Sequence, residues 1–317
     1  MIRYYKNEEI DREKWDKCIC DSSQFVIYAM SWYLDACEHT WDALIEEGEG
    51  NYISVMPFHV RKKYGIRYIH QDPMCDQLGF FSIKGSDVEV HFIAWLSKQK
   101  YVALYQFNVE NSNSSLQYFD TISTCTHYLE LNQPYKEIRK RYSKGRKSAL
   151  KKSLRRCQWL TDYPRADILL SLFNENVAPK IEGFLPYQIQ FIEKLINNLY
   201  QRGVGEYYIV MGPNEEPLAT AFFVKFKNKI VYLFGASSSK GYEHESMTFL
   251  LDSVIKKYSE TSLILDFKGG DILSQGRYYR SFGAERHLYM GVCIDNFGYL
   301  VKKAKKMKGL LLGLLRN

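Results

Sequence analysis

The sequence predicts a mixed α/β protein, an α+β mixed sheet in two tandem domains, of which the second is the more complete. Its 317 residues exceed one average domain and are few for three, so two cores are expected. The second half shows the order helix, helix, three strands, helix, strand, helix, strand, which is typical of helices layered on a mixed sheet. The first half gives a weaker version of this order, which suggests a divergent internal duplication.

In the first half, residues 1–133, helices are predicted from Met30 to Glu38 and from about Ser86 to Lys98. The strand-like runs are bounded by Gly, Pro, Asn and Asp, and they are WDALIEEG, NYISVMPFHVRKKY, RYIHQDP, FFSIKG, KYVALYQFNV and CTHYLEL. The helix VEVHFIAWLSKQ stands where the second half has ESMTFLLDSVIKKY.

A basic helix is predicted to connect the halves over residues 134–158, because apolar residues recur there on one helix face and Lys or Arg fill the others. In the second half, residues 159–297, helices are expected at about Asp167–Asn176 and Tyr187–Gln201. Strands GEYYIVMG, LATAFFVKF and IVYLFGAS follow, then a loop SSSKGY. Helix EHESMTFLLDSVIKKYSE, strand SLILDFKGG, helix ILSQGRYYRSFG and strand RHLYMGVCI complete the order.

Positive charge is concentrated in two short segments, although the chain carries a formal net charge of +7. Residues 1–133 carry 12 basic and 19 acidic side chains, and residues 157–297 carry 14 and 16. Residues 134–156 hold 11 basic and one acidic residue, and residues 298–317 hold six basic and none acidic. Such local fields favour an anionic ligand over a general role in solubility.

The seven cysteines are scattered without CxxC spacing, and the seven histidines show no metal spacing, so neither a metal site nor a disulfide framework is predicted. The N-terminus lacks an apolar signal-peptide core, and no run of about 20 apolar residues could span a membrane. We therefore expect a cytoplasmic protein.

Several stretches carry a resemblance to one family. They are EIRKRYSKGRKSALKKS, the strand pair PLATAFFVKF and IVYLFGAS, DFKGGDILSQGRYYRSFGA and, in the first half, FVIYAMSWYLDAC with VMPFHVRKKYGIRYIHQDPMCDQLG. In their order they resemble the GNAT superfamily, specifically the double-domain branch with Fem-type peptidoglycan-bridge aminoacyltransferases and their acyl-CoA-using relatives. The resemblance covers most of residues 20–290 and implies two tandem GNAT-like domains, the second catalytic.

The resemblance implies a donor site on backbone N–H groups where a strand meets a helix N-terminus. That loop is Ser237, Ser238, Ser239, Lys240 and Gly241, which keeps only the middle Gly of the usual Gln/Arg-x-x-Gly-x-Gly/Ala pattern. The departure puts ordinary acetyl-CoA binding in doubt and fits aminoacyl-tRNA or a modified donor site. A Ser-rich loop is also an ordinary N-cap region.

Candidate catalytic groups lie on three elements. The resemblance implies that backbone amides at Gly235 and Ala236, where a strand would splay from its neighbour, polarise the thioester or ester carbonyl. Asp266 ends a buried strand and is a candidate general base, or else hydrogen-bonds the turn that it precedes. The neighbouring Lys268 and Gly269 would let the backbone approach a substrate. Tyr278 and Tyr279 would protonate the leaving group, or else belong to the core.

Further substrate contacts are predicted outside the catalytic half. The basic segment would bind phosphate groups of a nucleotide-linked substrate or tRNA, and the candidate residues are Arg139, Lys140, Arg146, Lys147 and Lys151. The alternative is that these residues form a solvated charged face. Trp32 and Tyr33 are candidates for a substrate cleft, with an aromatic core as the alternative. Residues 298–317 form an amphipathic basic stripe suited to an anionic membrane surface or to docking on the protein itself.

These observations favour an N-acyltransferase that moves an acyl group from acyl-CoA, or an aminoacyl group from tRNA, to a primary amine. The acceptor would be an amino sugar, a peptidoglycan stem peptide or another lipid- or nucleotide-linked envelope precursor. GxSxG, P-loop, GxGxxG and DxD motifs are absent, which argues against a hydrolase, a P-loop enzyme, a dinucleotide-binding enzyme and a metal-dependent glycosyltransferase. The alternative is a catalytically inert GNAT-like module that binds an anionic saccharide or nucleic acid.

Overall fold

The computed structural model describes residues 2–37, 40–63, 65–85, 89–111, 116, 119–156, 158–181 and 183–297. These residues form two compact units. The first unit contains residues 2–35, 40–123 and 289–297, and the second contains residues 36–37 and 124–288. The predicted connecting segment, residues 134–158, therefore lies within the second unit, and the final strand of the chain ends in the first.

The first unit is built on a mixed sheet in which β1 pairs with β2, β2 with β3, β3 with β4 and β5, and β4 with β6. Only the β4–β6 pair is parallel, and its strands are joined through helix α3. The elements are β1 Ile2–Tyr5, α1 Arg12–Asp21, α2 Ser31–Leu34, β2 Trp41–Gly48, β3 Asn51–Lys63, β4 Ile66–His70, β5 Phe81–Ser82, α3 Glu89–Ser97 and β6 Tyr101–Gln106.

The second unit repeats this plan with its own mixed sheet, in the strand order β7–β12–β11–β10–β9–β8. The β11–β12 pair is parallel and the others are antiparallel. The strands are β7 Asp120–Glu130, β8 Trp159–Thr161, β9 Gly205–Met211, β10 Pro217–Phe226, β11 Lys229–Ser237 and β12 Ile264–Asp266. Strand β13, Glu285–Asp295, begins in this unit and pairs with β6 of the first unit through its last residues.

Seven helices cover the second sheet or connect its strands. They are α4 Tyr135–Lys140, α5 Lys144–Ser153, α6 Ala166–Asn176, α7 Gln188–Gln201, α8 Ser239–Glu243, α9 Ser246–Tyr258 and α10 Leu273–Arg280. Helices α8 and α9 connect the parallel strands β11 and β12, as α3 connects β4 and β6. The predicted correspondence of VEVHFIAWLSKQ with ESMTFLLDSVIKKY is thus confirmed.

The basic segment forms two helices, whereas the sequence predicted one. The Ser143 hydroxyl accepts a hydrogen bond from the Arg146 amide at 3.1 Å and so caps a new helix. Gly145 lies in the first turn of that helix. The apolar face of the two helices enters the core of the second unit, where Ile138, Tyr142 and Leu150 join the side chains of α9 and β10. This burial explains why the segment belongs to that unit.

Most of the predicted strands and longer helices are confirmed, with boundaries shifted by a few residues. Elements β1, α1 and β8 were not predicted from the sequence, and the residues of helix α8 were predicted to form a loop. No helix among the described residues is long and apolar enough to cross a membrane. The amphipathic stripe predicted for residues 298–317 lies outside the described residues.

Candidate active site

The parallel pairing of β11 with β12 in the second unit ends at Val231 and Asp266. Strand β11 pairs with β12 over Lys229–Val231 only, because β12 ends at Asp266. Strand β11 nevertheless keeps its pairing with β10 as far as Ser237, with an irregularity opposite Phe222 and Phe223. Since alternate amides of an antiparallel strand point away from its partner, the last residues of β11 have amides with no strand beside them.

A cavity of about 460 Å³ opens where β12 has ended. Its walls come from the last residues of β11, from α8 and the start of α9, and from α10. The lining residues are Lys180, Tyr232, Gly235, Ala236, Ser237, Gly241, Tyr242, Glu245, Met247, Thr248, Ile272, Ser274, Gln275, Tyr278 and Tyr279. Gly235, Ala236, Tyr278 and Tyr279, four of the five predicted catalytic residues, are therefore brought together.

The two adjacent tyrosines differ in what their hydroxyl groups do. Tyr279 is buried, accepts a hydrogen bond from Gln275 Nε2 at 2.9 Å, and stacks on Phe267 with ring centres 4.8 Å apart. The Tyr278 hydroxyl is buried and makes no hydrogen bond of good geometry in the described part of the chain. Burial raises the pKa of Tyr278 to about 12, against the opposing effects of Arg146 and Thr248. Tyr278 thus stays protonated, and its side chain is part of the cavity wall.

Arg146 projects from α5 behind the wall that carries Tyr278, with a side chain only 10% exposed. Its guanidinium carbon lies 4.1 Å from the centre of the Tyr278 ring and 4.6 Å from that of Phe282. Its Nε donates to Ser281 Oγ at 2.9 Å, and its Nη1 donates to the Thr248 hydroxyl. A planar cation is suited to such combined stacking and hydrogen bonding. This predicted substrate ligand is held by the protein's own side chains.

The predicted donor loop contributes Ser237 and Gly241 to the cavity wall. Ser238 caps α8, since its hydroxyl accepts from the Gly241 amide at 3.1 Å and donates to the Leu218 carbonyl at 3.3 Å. A Cβ on Gly241 would lie 1.8 Å from that carbonyl oxygen, so the loop packs against β10 in a way that only glycine permits. Ser239 is exposed, and Lys240 is paired with Glu216.

Asp266 shapes the turn after β12 and does not line the cavity. Its Oδ1 accepts hydrogen bonds from the Thr126 hydroxyl and from the Lys268 amide, the latter at 2.9 Å. Lys268 and Gly269 follow with φ angles of 53° and 70°, and the Lys268 ammonium lies 5.6 Å from the Phe234 ring centre. Asp266 therefore makes the turn contacts that the sequence left as its alternative role.

The other basic residues of α4 and α5 differ in their surroundings. Lys140 pairs with Glu137 at 2.8 Å, and the Lys147 ammonium donates to the Lys140 carbonyl at 2.8 Å. Arg139 is half-buried and acts electrostatically on Asp252, whose carboxylate accepts hydrogen bonds from Tyr135 and Tyr142. Burial raises the pKa of Asp252 against these contacts. Lys147 and Lys151 are exposed.

In the first unit, Tyr33 is fully buried and donates a hydrogen bond to the Met74 carbonyl at 2.8 Å. Its ring meets Tyr28 edge-on, with ring centres 5.4 Å apart. Trp32 is half-buried, and its ring centre is 6.4 Å from that of Tyr33. Tyr33 is thus part of an aromatic core.

Sequence reasoning missed several cavity residues, among them Lys180, Glu245, Thr248 and Gln275. Glu245 was expected inside one long helix, but it has φ 57° and ψ 35° and separates α8 from α9. No signal marked it, because an acidic residue early in an amphipathic helix ordinarily serves only the helix dipole.

Comparison with known proteins identifies the fold. No protein-family model matches the chain, and no curated protein matches it. The crystal structure of FemX shares 11% identity and a TM-score of 0.64, covering 90% of this chain and 96% of that one. A tandem GNAT protein from the clavulanic acid biosynthesis pathway shares 10% identity and a TM-score of 0.53, covering 92% and 98%. L-PGS from Bacillus licheniformis shares 10% identity and a TM-score of 0.52, covering 92% and 94%.

These similarities confirm the predicted fold: the chain has a Fem-type, tandem GNAT-like fold of mixed α/β class. At about 10% identity they carry no residue assignments, so the chemistry must be argued from the cavity of this chain.

Proposed function

We propose that this protein is an N-acyltransferase whose active site is the cavity of the second unit. It would transfer an acyl group from acyl-CoA, or an aminoacyl group from tRNA, to a primary amine. The observation that carries the proposal is the early end of β12, which leaves one edge of β11 without that strand beyond Val231, beside a cavity that Gly235, Ala236 and Tyr278 line. Fixed donors in a partly buried site stabilise the oxyanion that forms during acyl transfer.

In this proposal the acyl carbonyl of the donor lies against Gly235 and Ala236. The carrier of the acyl group passes along Ser237 and Gly241, and the Tyr278 hydroxyl donates a hydrogen bond to the departing sulfur or oxygen. No covalent enzyme intermediate is needed, since the amine attacks the acyl carbon directly. Catalysis then rests on positioning and on hydrogen bonds that strengthen in the transition state.

The mouth of the cavity supports an acceptor with both charged and apolar parts. Ile272 is 67% exposed and Tyr242 is 57% exposed, and both line the cavity. The Lys180 ammonium lies 5.5 Å from the Tyr242 ring centre. We propose an amino sugar, a peptidoglycan stem peptide or a lipid- or nucleotide-linked envelope precursor as acceptor, met in the cytoplasm or at the inner membrane surface.

Acyl-CoA is the preferred donor, and exposed Lys147 and Lys151 make tRNA the alternative. The first test measures the melting temperature of the full chain with acetyl-CoA, longer acyl-CoAs, free CoA and bulk aminoacyl-tRNA. Any ligand that prefers the native state must raise it. The second test measures transfer from the same donors to glucosamine and to a lysine-containing stem peptide. A shift with turnover supports the proposal, whereas binding without turnover would favour the inert module.

A further inference from the structure

Glu245 is the one carboxylate among the described residues that line the cavity. It stands between α8 and α9 with a left-handed backbone, which costs a residue other than glycine about 1 kcal/mol or more. That conformation alone does not indicate a functional residue, because other charged residues share it: Glu49, Glu215, Lys227, Glu260 and Lys268. None of these lines the cavity, so position rather than backbone geometry distinguishes Glu245.

A chain of three side chains fixes one oxygen of the Glu245 carboxylate. Arg146 Nη1 donates to the Thr248 hydroxyl, and that hydroxyl donates in turn to Glu245 Oε2 at 3.1 Å. Arg146 Nη1 also lies 3.8 Å from the same oxygen. Oε1 makes no hydrogen bond within the described residues, so one carboxylate oxygen is held and the other is left for a ligand.

The surroundings of Glu245 carry positive potential. Arg146 supplies an opposite charge, and the N-terminus of the 13-residue helix α9 attracts anions. The other titratable groups of the cavity wall are Lys180 and tyrosines 232, 242, 278 and 279, none of them a second anion at neutral pH. An amine that arrives as an ammonium ion therefore meets one carboxylate.

The geometry points to Glu245 as the group that accepts the proton of the incoming amine, with Arg146 as the residue that positions it. This inference rests on the proposed function and adds the catalytic base to it. The ammonium ion first gives one proton to Glu245 Oε1, which passes it to solvent. The free amine nitrogen then bonds to the acyl carbon, and the bond from that carbon to the sulfur or oxygen of the carrier breaks. The second proton of the nitrogen passes to Glu245 Oε1 and then to solvent, while the leaving group, hydrogen-bonded by Tyr278, takes a proton from solvent.

The same arrangement selects the class of acceptor. An ammonium ion pairs with the carboxylate before it loses a proton, whereas a hydroxyl brings no charge to this pairing. We therefore expect amino sugars and lysine side chains to be acceptors, and the matching hydroxyl compounds to be poor ones.

The experiment compares Glu245→Gln with Glu243→Gln, which removes an exposed carboxylate two residues away that does not line the cavity. Transfer to glucosamine is followed by carrier release, with whichever of acetyl-CoA, longer acyl-CoA or aminoacyl-tRNA supports turnover in the unsubstituted chain. Glu245→Gln should lower kcat about 100-fold and leave the affinity for the donor within about twofold. Glu243→Gln should leave both within about twofold.

A second variant separates chemistry from structure. Glu245→Gly should fold, since glycine prefers this backbone conformation, and it leaves room for a small carboxylate. Added formate should restore its activity about tenfold, with no effect on Glu245→Gln. Arg146→Lys should lower kcat in the unsubstituted chain and have little further effect in the Glu245→Gly background, because a positioning residue acts through its partner.

Two outcomes overturn the inference in distinguishable ways. Activity of Glu245→Gln within about threefold of the unsubstituted chain, or failure of formate to rescue Glu245→Gly, removes Glu245 as the base and leaves the acyltransferase standing. No turnover by the unsubstituted chain with any of the three donors overturns the proposed function, and the inference with it.

Discussion

Each unit contains one parallel strand pair, and the two pairs end in different surroundings. In the first unit the ends of the parallel strands β4 and β6 are bridged by the side chain of Gln71, whose Nε2 donates to the Cys75 carbonyl at 2.6 Å and whose Oε1 accepts from the Gln106 amide at 2.7 Å, and this closes the crevice there. In the second unit the crevice at the end of the parallel pair, beyond β12, is an open cavity. One plan thus yields a closed, hydrogen-bonded core and an accessible site, which supports placing the chemistry in the second unit.

Filling the crevice of the second unit should remove its open cavity, and we expect this change to lower acyl-transfer activity more than any other below. Ser274 is exposed on α10 and lines the cavity, so Ser274→Trp should lower kcat/KM for acyl transfer by at least about 100-fold while the melting temperature changes little. Arg277→Trp is the matched control, because Arg277 is exposed on the same helix but does not line the cavity. Equal losses in both variants, or none in Ser274→Trp, would show that this cavity is not the active site.

Opening the first crevice should cost stability instead. Gln71→Ala leaves the buried Cys75 carbonyl and the part-buried Gln106 amide without their partner, which we expect to lower the free energy of unfolding by about 2 to 3 kcal/mol. Urea unfolding measures that loss, and the transfer assay should find kcat unchanged. A large fall in kcat at temperatures where the variant stays folded would give the first unit a part in the chemistry.

Removing the unpaired hydroxyl of the second unit should have a smaller effect. Tyr278→Phe deletes one hydrogen bond to the leaving group, worth about 1 kcal/mol, so kcat should fall roughly fivefold to tenfold. Stability should stay equal or rise slightly, since a buried group without a hydrogen-bond partner is removed. An unchanged kcat together with lower stability would assign Tyr278 to the core.

The smallest expected effect is a pH dependence of stability within the second unit. Burial lowers the pKa of His127, assisted by Arg280 and Arg286 and opposed by its hydrogen bond to the Gly269 carbonyl. Because the folded state disfavours the protonated ring, stability is fully present above the ordinary histidine pKa of about 6.5 and falls as the pH drops below it. The urea midpoint should decline less between pH 7.5 and 5.5 in His127→Gln than in the unsubstituted chain. The same decline in both proteins would show that His127 does not cause the pH dependence of stability.

Local patterns in the sequence predicted most of the fold, because strand runs and amphipathic helices there carry clear turn signals. They failed where a short element depends on distant contacts. Helix α8 depends on the packing of Gly241 on Leu218, and the break at Ser143 exists because two helices bury one apolar face. Neither cause can be deduced from neighbouring residues alone.

The candidate site was predicted only where the backbone defines it. The resemblance to GNAT-like proteins indicated Gly235 and Ala236, and the helix after Asp266 supplied Tyr278 and Tyr279 as candidates; all four line the cavity. Sequence could not distinguish a carboxylate that caps a turn, as Asp266 does, from one that lines a cavity, as Glu245 does. That distinction depends on where β12 ends, which tertiary pairing decides.

The burial of Arg146 has a practical consequence for dissecting the protein. Its guanidinium packs against Tyr278 and Phe282, far along the chain from α5. A fragment that starts after residue 158 would expose these rings and leave Thr248 and Glu245 without their cation. A single cleavage between residues 131 and 158 should therefore leave two pieces that remain associated. A fragment that starts at residue 159 should regain its shape only when a peptide of residues 132–158 is supplied in trans.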